Sequence, residues 1–135
     1  MPDKLSFSET FRALESAINI TQQRHSVLAS NISNIDTPEY KTKNIDFEAA
    51  LDEALKSDPA FQLVRTDAGH IGSTMNSSRA IEPYEEKGEW NGFNWVNIDK
   101  EMTKLAENNL RYRSATEVLL RKITLLRDVI KEGGR

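Results

Sequence analysis

Apolar side chains near the N-terminus recur with the spacing of a helix that packs along its length on another helix. The steps alternate between four and three residues, which is the heptad pattern of a coiled-coil seam. The members of this predicted seam are Phe7, Phe11, Leu14, Ile18, Thr21, His25, Leu28 and Ile32. Asp36-Thr37-Pro38 is predicted to end the helix, because the residue before a proline disfavours helical geometry. We therefore predict a coiled-coil helix over residues 1–35.

A second and longer heptad pattern fills the C-terminal part of the chain. Its members are Ile98, Met102, Leu105, Asn109, Tyr112, Thr116, Leu119, Ile123, Leu126 and Ile130. Asn97 is the predicted N-cap of this helix, and Gly133-Gly134 is its predicted stop. A helix of about 35 residues is about 50 Å long and cannot bury one apolar stripe on itself. We therefore expect the coiled-coil helix of residues 96–135 to pack on the N-terminal helix, on other copies of the chain, or on both.

Two polar residues, Asn109 and Thr116, occupy positions in the C-terminal seam. One interpretation is that they fix the register or the number of partners, as a buried polar residue does in coiled coils. The other interpretation is that the seam is simply more hydrated at these positions. The sequence leaves both open.

The centre of the chain, residues 36–95, has no long periodic pattern and contains most of the glycines and prolines. Phe47, Leu51 and Leu55 predict a short helix that ends near Ser57-Asp58-Pro59. Residues 61–66 have the composition of a strand, and residues 88–92 indicate a hairpin turn. The predicted fold class is mainly α, with two long helices paired as a coiled coil around an irregular centre that holds a short helix and a small β-hairpin. The whole chain is expected to form one assembly domain.

Composition restricts the chemistry that this chain can perform. It has 135 residues, of which 38% are hydrophobic and 29% are charged, so the core is expected to be thin. The absence of cysteine excludes disulfides, thiolate metal sites and a cysteine nucleophile. The apolar runs are too short to span a bilayer, so no direct membrane insertion is expected. The first residues lead into an amphipathic segment, and we expect no cleaved signal peptide.

Charge is distributed unevenly along the chain. The net charge is −3, but residues 36–95 hold six basic and twelve acidic groups, while residues 111–135 hold seven and three. A basic tail can indicate nucleic acid binding, but this tail is amphipathic and has no aromatic stacking platform beyond Tyr112. No nucleic acid partner is therefore expected. We expect the acidic centre and the basic end to meet, within one subunit or between subunits.

The sequence contains no convincing catalytic or metal-binding motif. The two histidines, His25 and His70, have no second ligand at a metal-site spacing. Acidic pairs such as Asp52-Glu53 and Glu85-Glu86 are typical of solvated faces. We therefore expect no enzyme activity, no cofactor and no metal.

A polar motif follows the N-terminal seam, and its residue types suit the end of a helix. Asn31 and Asn34 are small polar residues near a helix end, able to bond exposed backbone groups. Thr37-Pro38 stops the helix and sets an extended exit, and Tyr40 can pack back to anchor that exit. The motif resembles the ANxxNxxTPGY signature of the bacterial flagellar axial proteins, the rod, hook and hook-associated subunits. That family usually has glycine where this chain has Glu39, which predicts a looser bend here.

Further segments are similar to the proximal rod members of that family. They are residues 41–47 followed by Leu51, a Thr66…His70-Ile71 element, and residues 96–112. The resemblance covers about residues 7–130, with no large outer domain inserted between the helices. The sister rod protein FlgC has a similar pattern but differs most around residues 106–115.

The resemblance implies a structural subunit that polymerises helically into the hollow proximal rod, in the periplasmic space. The implied partners are other copies of the chain, FlgC and the distal rod proteins, the adaptor FliE, the MS-ring protein and the flagellar type III export apparatus. Phe47 and Leu51 also match a Phe-x-x-x-hydrophobic element that the export gate reads; the alternative is that they pack on the subunit's own helices or on a neighbour. The rival function is a cytoplasmic coiled-coil adaptor or secretion chaperone, which would share the heptads but would not need the motif.

Overall fold

A computed structural model of the chain describes residues 7–56 and 81–134. The elements are α1 (Phe7–Ser33), β1 (Lys43–Asn44), α2 (Phe47–Lys56), β2 (Tyr84–Glu85) and α3 (Ile98–Gly133). The mainly α fold, with two long helices and an irregular centre, is confirmed. The predicted strand at residues 61–66 and the Thr66…His70-Ile71 element lie outside the described residues.

The two long helices pack on each other in antiparallel orientation. Near the end of α1, Asn31 bonds to Glu101 at the start of α3. Further along, Asn108 Nδ2 donates to the carbonyl oxygen of Thr21 at 2.8 Å. At the other end, Lys122 Nζ lies 4.9 Å from the centroid of the Phe7 ring. The predicted pairing of the N- and C-terminal helices is therefore confirmed.

The face of α3 that turns toward α1 is more polar than the heptad pattern predicts. It consists of the buried or half-buried residues Glu101, Lys104, Leu105, Asn108, Arg111, Ala115, Thr116, Leu119 and Lys122. In the first turns this face lies one residue before the predicted seam, with Glu101 and Asn108 buried in place of Met102 and Asn109. The cause is chemical, because α1 presents Asn31 and a backbone carbonyl here, and these bond to polar side chains rather than to apolar ones.

Other members of the predicted seams divide between the interior and the surface. Thr21 and Leu28 are buried, and Phe11, Leu14, Ile18, Ile32, Leu105, Thr116 and Leu119 are half-buried. The exposed members are Phe7, His25, Ile98, Met102, Asn109, Tyr112, Ile123, Leu126 and Ile130. Within one subunit the exposed residues form no α1–α3 seam, and their role as an assembly seam stays a prediction.

The short helix α2 closes a small apolar cluster against α1. Asp46 Oδ1 caps the helix by accepting hydrogen bonds from the backbone of Glu48 at 3.0 Å and Ala49 at 3.1 Å. The cluster consists of the buried Ile20, Ile45 and Ala50, with Val27, Phe47, Leu51 and Ile81 packed against it. The short helix predicted from Phe47 and Leu51 is confirmed.

The two strands form a minimal antiparallel pair, with Lys43 opposite Glu85 and Asn44 opposite Tyr84. They are not consecutive in the sequence, since α2 and residues 57–80 lie between them. The predicted hairpin at residues 88–92 is therefore wrong, because β2 pairs with the earlier β1 and the described residues 86–97 contain no strand. Gly88 instead lets the chain approach Trp95: a Cβ there would lie 2.9 Å from the Trp95 carbonyl oxygen.

Within residues 7–56 and 81–134, no helix combines the length and the apolarity that are needed to cross a membrane.

Candidate functional site

The polar motif at the end of α1 forms a hydrogen-bonded turn. Asn34 Nδ2 donates to the carbonyl oxygen of Ser30 at 2.8 Å, and the Asn34 amide donates to the same oxygen at 3.1 Å. Thr37 Oγ1 donates to Asn34 Oδ1 at 3.1 Å, and the Thr37 amide donates to the Asn34 carbonyl oxygen at 3.0 Å. These bonds are exposed and local, so Asn34 and Thr37 define how the chain leaves the helix before Pro38.

The bend after Pro38 is tight, and the looser bend predicted from Glu39 is wrong. Glu39 has a φ of 57°, in the left-handed region that glycine adopts without penalty. Its amide donates to the Phe93 carbonyl oxygen at 2.9 Å, and the Trp95 amide donates to the Tyr40 carbonyl oxygen at 3.0 Å. These two bonds to a distant segment hold the backbone direction, and they offset a conformational cost of about 1 kcal/mol.

Asn31 is the centre of the site. Its side chain is fully buried and makes hydrogen bonds in four directions. Nδ2 donates to the Lys43 carbonyl oxygen and to Glu101 Oε2, both at 2.7 Å. Oδ1 accepts from the Lys43 amide at 3.0 Å and from the Tyr40 hydroxyl at 3.3 Å. One side chain thus joins α1, the start of β1 and α3.

Glu101 extends this network to the strand region. Its side chain is 2% exposed, and besides Asn31 it bonds to Lys104 Nζ at 2.8 Å. Lys104 also forms an ion pair with Glu86, which follows β2. Burial lowers the pKa of Lys104, but hydrogen bonds and charges of Glu101 and Glu86 outweigh burial, so this pKa is raised above its usual 10.5. We name the group of Asn31, Glu101, Lys104 and Glu86 the polar hub.

Asn94 anchors the segment that leads into α3. It is fully buried, and its Nδ2 donates to the carbonyl oxygens of Ile35 at 2.6 Å and Thr37 at 3.1 Å. Its Oδ1 accepts from the Val96 amide at 3.0 Å and from Asn91 Nδ2 at 2.9 Å. Asn97 then caps α3 by accepting from the backbone amides of residues 99 and 100, as predicted.

Two buried residues of this site, Glu101 and Asn94, were missed by the sequence reasoning. Glu101 lies in the stretch that resembles the family, but the heptad count passed over it because it is charged. A signal for Asn94 did exist, since Asn91 and Asn94 repeat the three-residue spacing of Asn31 and Asn34. That spacing marks asparagines that bond to backbone groups at a turn.

The candidate export element lies beside the motif and is packed in the folded subunit. Phe47 and Leu51 are half-buried against the cluster of Ile20 and Ile45. The guanidinium carbon of Arg111 lies 4.7 Å from the centroid of the Phe47 ring. The folded chain therefore shows the packing role of these side chains, and the export role stays a prediction.

A groove of about 240 Å³ opens between the two long helices. It is lined by Thr21, Gln22, His25, Asn108, Asn109 and Tyr112. Asn108 Oδ1 is buried at this groove without a hydrogen-bond partner. His25 is exposed on α1, and residues 7–56 and 81–134 hold no cluster of side chains suited to a metal ion.

Comparison with known proteins gives one consistent result. A family described as flagella basal body rod protein matches residues 11–41, which include Asn31, Asn34 and Tyr40. The flagellar basal body rod protein FlgB of Bacillus subtilis (strain 168) is 33% identical over 128 residues, which cover 94% of this chain and 97% of that protein. FlgB of Escherichia coli (strain K12) is 31% identical over 141 residues, covering 99% and 100%. FlgB of Salmonella typhimurium is 30% identical over 141 residues with the same coverage.

Proposed function

This chain belongs to the family of the flagellar basal body rod protein FlgB, and we propose that it polymerises helically with copies of itself into the hollow, proximal part of the rod. Membership of the family makes it a structural subunit of the flagellar basal-body rod and not an enzyme. The family thus favours a rod subunit over a cytoplasmic coiled-coil adaptor or secretion chaperone.

The observation that carries the polymerisation proposal is the apolar surface of α3. Beyond residue 117 the exposed apolar side chains are Val118, Leu120, Ile123, Leu125, Leu126, Val129 and Ile130. Projected on a helix they cover more than half of the circumference, whereas a surface helix with one partner needs a stripe of about 100°. A helix that is apolar over so much of its circumference leaves most of this surface in water unless several neighbours cover it. Neighbouring subunits in a tube supply such neighbours.

The proposed partners at the two ends of the proximal rod follow from the place of this segment in the flagellum. On the membrane side they are the adaptor FliE and the MS-ring protein, and on the other side FlgC and then the distal rod proteins. This position, in the periplasmic space, is supported by the similarity of residues 41–47 and 96–112 to proximal rod members. It is also supported by the short chain, in which no large outer domain separates the two long helices.

We further propose that the flagellar type III apparatus exports the chain without cleaving a signal peptide. Phe47 and Leu51 are one helical turn apart and are packed against α1 in the folded subunit. The export gate would therefore read them on a chain whose α2 is not yet docked on α1. Docking after export then buries the same side chains, so one element serves both steps.

The export proposal is tested with the double variant Phe47→Ala, Leu51→Ala. Secreted protein is expected to be lost while the cellular level of the chain stays normal. Ile45→Ala is the matched control, because Ile45 is buried in the same cluster but lies outside the element. Export should survive Ile45→Ala. Normal secretion of the double variant, or equal loss in the control, would show that the element has no export role.

The assembly proposal is tested by deleting the gene and examining detergent-extracted basal bodies by electron microscopy. Membrane rings without a rod are expected, in non-motile cells that the intact gene restores. Leu125→Glu, at a side chain that is 63% exposed, should fail to restore the rod. Thr124→Glu introduces the same charge one residue away on the polar side of α3 and should restore it. Complete rods in the deletion strain would refute the proposal.

A further inference from the structure

Three exposed aromatic side chains lie on residues 84–93, at the end of the subunit that holds the polar hub. Tyr84, Trp90 and Phe93 are each about half exposed, at 49%, 50% and 47%. Trp90 stacks on Trp95 with 4.5 Å between ring centroids, and the Trp95 amide is bonded to the backbone of the motif. We name Tyr84, Trp90 and Phe93 the aromatic patch. Exposed aromatic residues on a rigid support are typical of surfaces that bind another protein.

The segment that carries the aromatic patch is acidic. Residues 81–96 carry four glutamates, at positions 82, 85, 86 and 89, against the single Lys87. Glu86 is paired with Lys104 in the polar hub and Glu85 is paired with Lys41 at 3.4 Å, whereas Glu82 and Glu89 are exposed. A partner for this surface should therefore combine apolar side chains with positive charge.

The C-terminal part of α3 has this combination. We name residues 118–133 the α3 tail. Besides its exposed apolar side chains, the α3 tail carries four basic residues, Arg121, Lys122, Arg127 and Lys131, against two acidic residues, Asp128 and Glu132. Lys122 lies beside Phe7, the first described residue of α1, so most of the α3 tail extends beyond the described part of that helix.

The aromatic patch and the α3 tail cannot meet within one subunit. The patch is bound to the beginning of α3, because Glu86 pairs with Lys104 and Asn94 bonds to the backbone just after α1. At 1.5 Å per residue, Ile130 lies about 40 Å further along the same helix than Lys104. The acidic surface and the basic end are therefore held at opposite ends of the molecule.

We propose that the aromatic patch of one subunit binds the α3 tail of a second copy. In this contact the aromatic rings pack on the apolar side chains of the tail, and Glu82 and Glu89 face its basic residues. Two different surfaces meet, so the contact is head-to-tail and repeats from copy to copy, as a tube requires. The proposal rests on the proposed function and names the surfaces through which the copies join.

Because the chain contains no cysteine, the contact can be tested with introduced cysteines. One variant carries Glu89→Cys and a second carries Ile130→Cys, and both are expressed in a strain that lacks the unmodified gene. Basal bodies are isolated, oxidised and analysed on a non-reducing gel. A disulfide needs Cα atoms roughly 4.4 to 6.8 Å apart, so a dimer forms only where the two surfaces touch. A strong dimer band is expected.

The matched control replaces Glu89→Cys with Ser26→Cys, at an exposed position in the middle of α1. It should give several-fold less dimer with Ile130→Cys. Rods that contain both variants but show no dimer, or show equal dimer in the control, would overturn the head-to-tail contact and leave the rod function standing. Absence of the unmodified chain from basal bodies would instead refute the proposed function, and this inference with it.

A charge exchange tests the same contact if the cysteine variants do not enter rods. Glu82→Lys with Glu89→Lys, and separately Arg127→Glu with Lys131→Glu, should each reduce motility strongly. The variant that carries all four changes should recover much of the motility, because opposite charges face each other again. No recovery in the combined variant would overturn the proposal.

Discussion

The sharpest prediction concerns the two asparagines of the motif, which look alike in the sequence but have different surroundings. Asn31 is fully buried and bonds to three partners across the fold, whereas the bonds of Asn34 are local and exposed. Asn31→Ala should therefore destabilise the subunit far more than Asn34→Ala. The contrast is internal to one motif, so each variant is the control for the other.

The magnitude follows from the groups that Asn31→Ala leaves without a partner. They are the Lys43 amide, the Lys43 carbonyl, the Tyr40 hydroxyl and one oxygen of Glu101. A buried polar group without a partner costs about 1 to 3 kcal/mol, and the bond to a charged group is at the upper end. Allowing for water entering the space left by the side chain, we expect a loss of about 4 kcal/mol in the free energy of unfolding. Asn34→Ala should cost about 0.5 to 1 kcal/mol, as for an exposed helix-end residue.

The assay is urea unfolding of the purified chain, followed by the helical signal in circular dichroism. With a slope of about 1.5 kcal/mol per M, Asn31→Ala should lower the midpoint by roughly 2 to 3 M and Asn34→Ala by about 0.5 M. Equal midpoints for the two variants, or a larger effect of Asn34→Ala, would refute the account of the polar hub.

A second pair of variants tests which atoms of Asn31 matter. Asn31→Asp keeps an oxygen for the Lys43 amide and the Tyr40 hydroxyl but loses both donated bonds, and it puts a carboxylate beside Glu101. It should destabilise the chain at least as much as alanine does. Adding Glu101→Gln reverses the direction of the bond, since glutamine donates and aspartate accepts, and should restore part of the loss. No restoration would mean that the Asn31–Glu101 bond contributes little.

Three further predictions concern single positions, each measured by unfolding in urea. Glu39→Gly should raise the free energy of unfolding by about 0.5 kcal/mol, because glycine adopts the left-handed φ without strain but loses more chain entropy, and Glu39→Val should lower it by about 1 kcal/mol. Because the folded pKa of Lys104 is raised, its contribution to stability is complete below the unfolded pKa near 10.5 and is lost as the pH rises through the folded pKa. The stability of Lys104→Met should therefore fall less at alkaline pH than the stability of the unmodified chain. Asn97→Ala should cost about 1 kcal/mol by removing the N-cap of α3, and Asn97→Ser should retain most of that stability.

Local patterns in the sequence were sufficient to predict the helices. The heptads at Phe11 to Ile32 and at Ile98 to Leu126 indicated α1 and α3, and Phe47 with Leu51 indicated α2, because helix periodicity depends only on neighbours three or four residues away. The N-cap at Asn97 follows from local chemistry in the same way. The motif residues were also found, since their offsets are short.

The parts that could not be predicted depend on residues far apart in the chain. Asn31 and Glu101 are 70 positions apart, and no local spacing relates them. The left-handed Glu39 is held by a bond to residue 93, so the expected effect of losing glycine was overridden by tertiary structure. The heptad count selected apolar positions on α3, whereas the partners offered by α1 are an amide side chain and a carbonyl. In the first turns of α3, the face that turns to α1 was therefore misplaced by one residue.

The two ends of α3 thus have different tasks. At its beginning, buried polar contacts fix how α3 lies on α1, because a buried hydrogen-bonding group is satisfied in one register only. At its end, apolar side chains are exposed on more than half of the helix and contribute little to the folding of a single subunit. A change in the polar hub, such as Asn31→Ala, should therefore reduce folding first and assembly as a consequence. A change in the α3 tail, such as Leu125→Glu, should leave the urea midpoint of the purified chain unchanged and abolish the rod. If Leu125→Glu lowered the midpoint as much as Asn31→Ala, the tail would have to be packed within the subunit, and this separation of folding from assembly would be wrong.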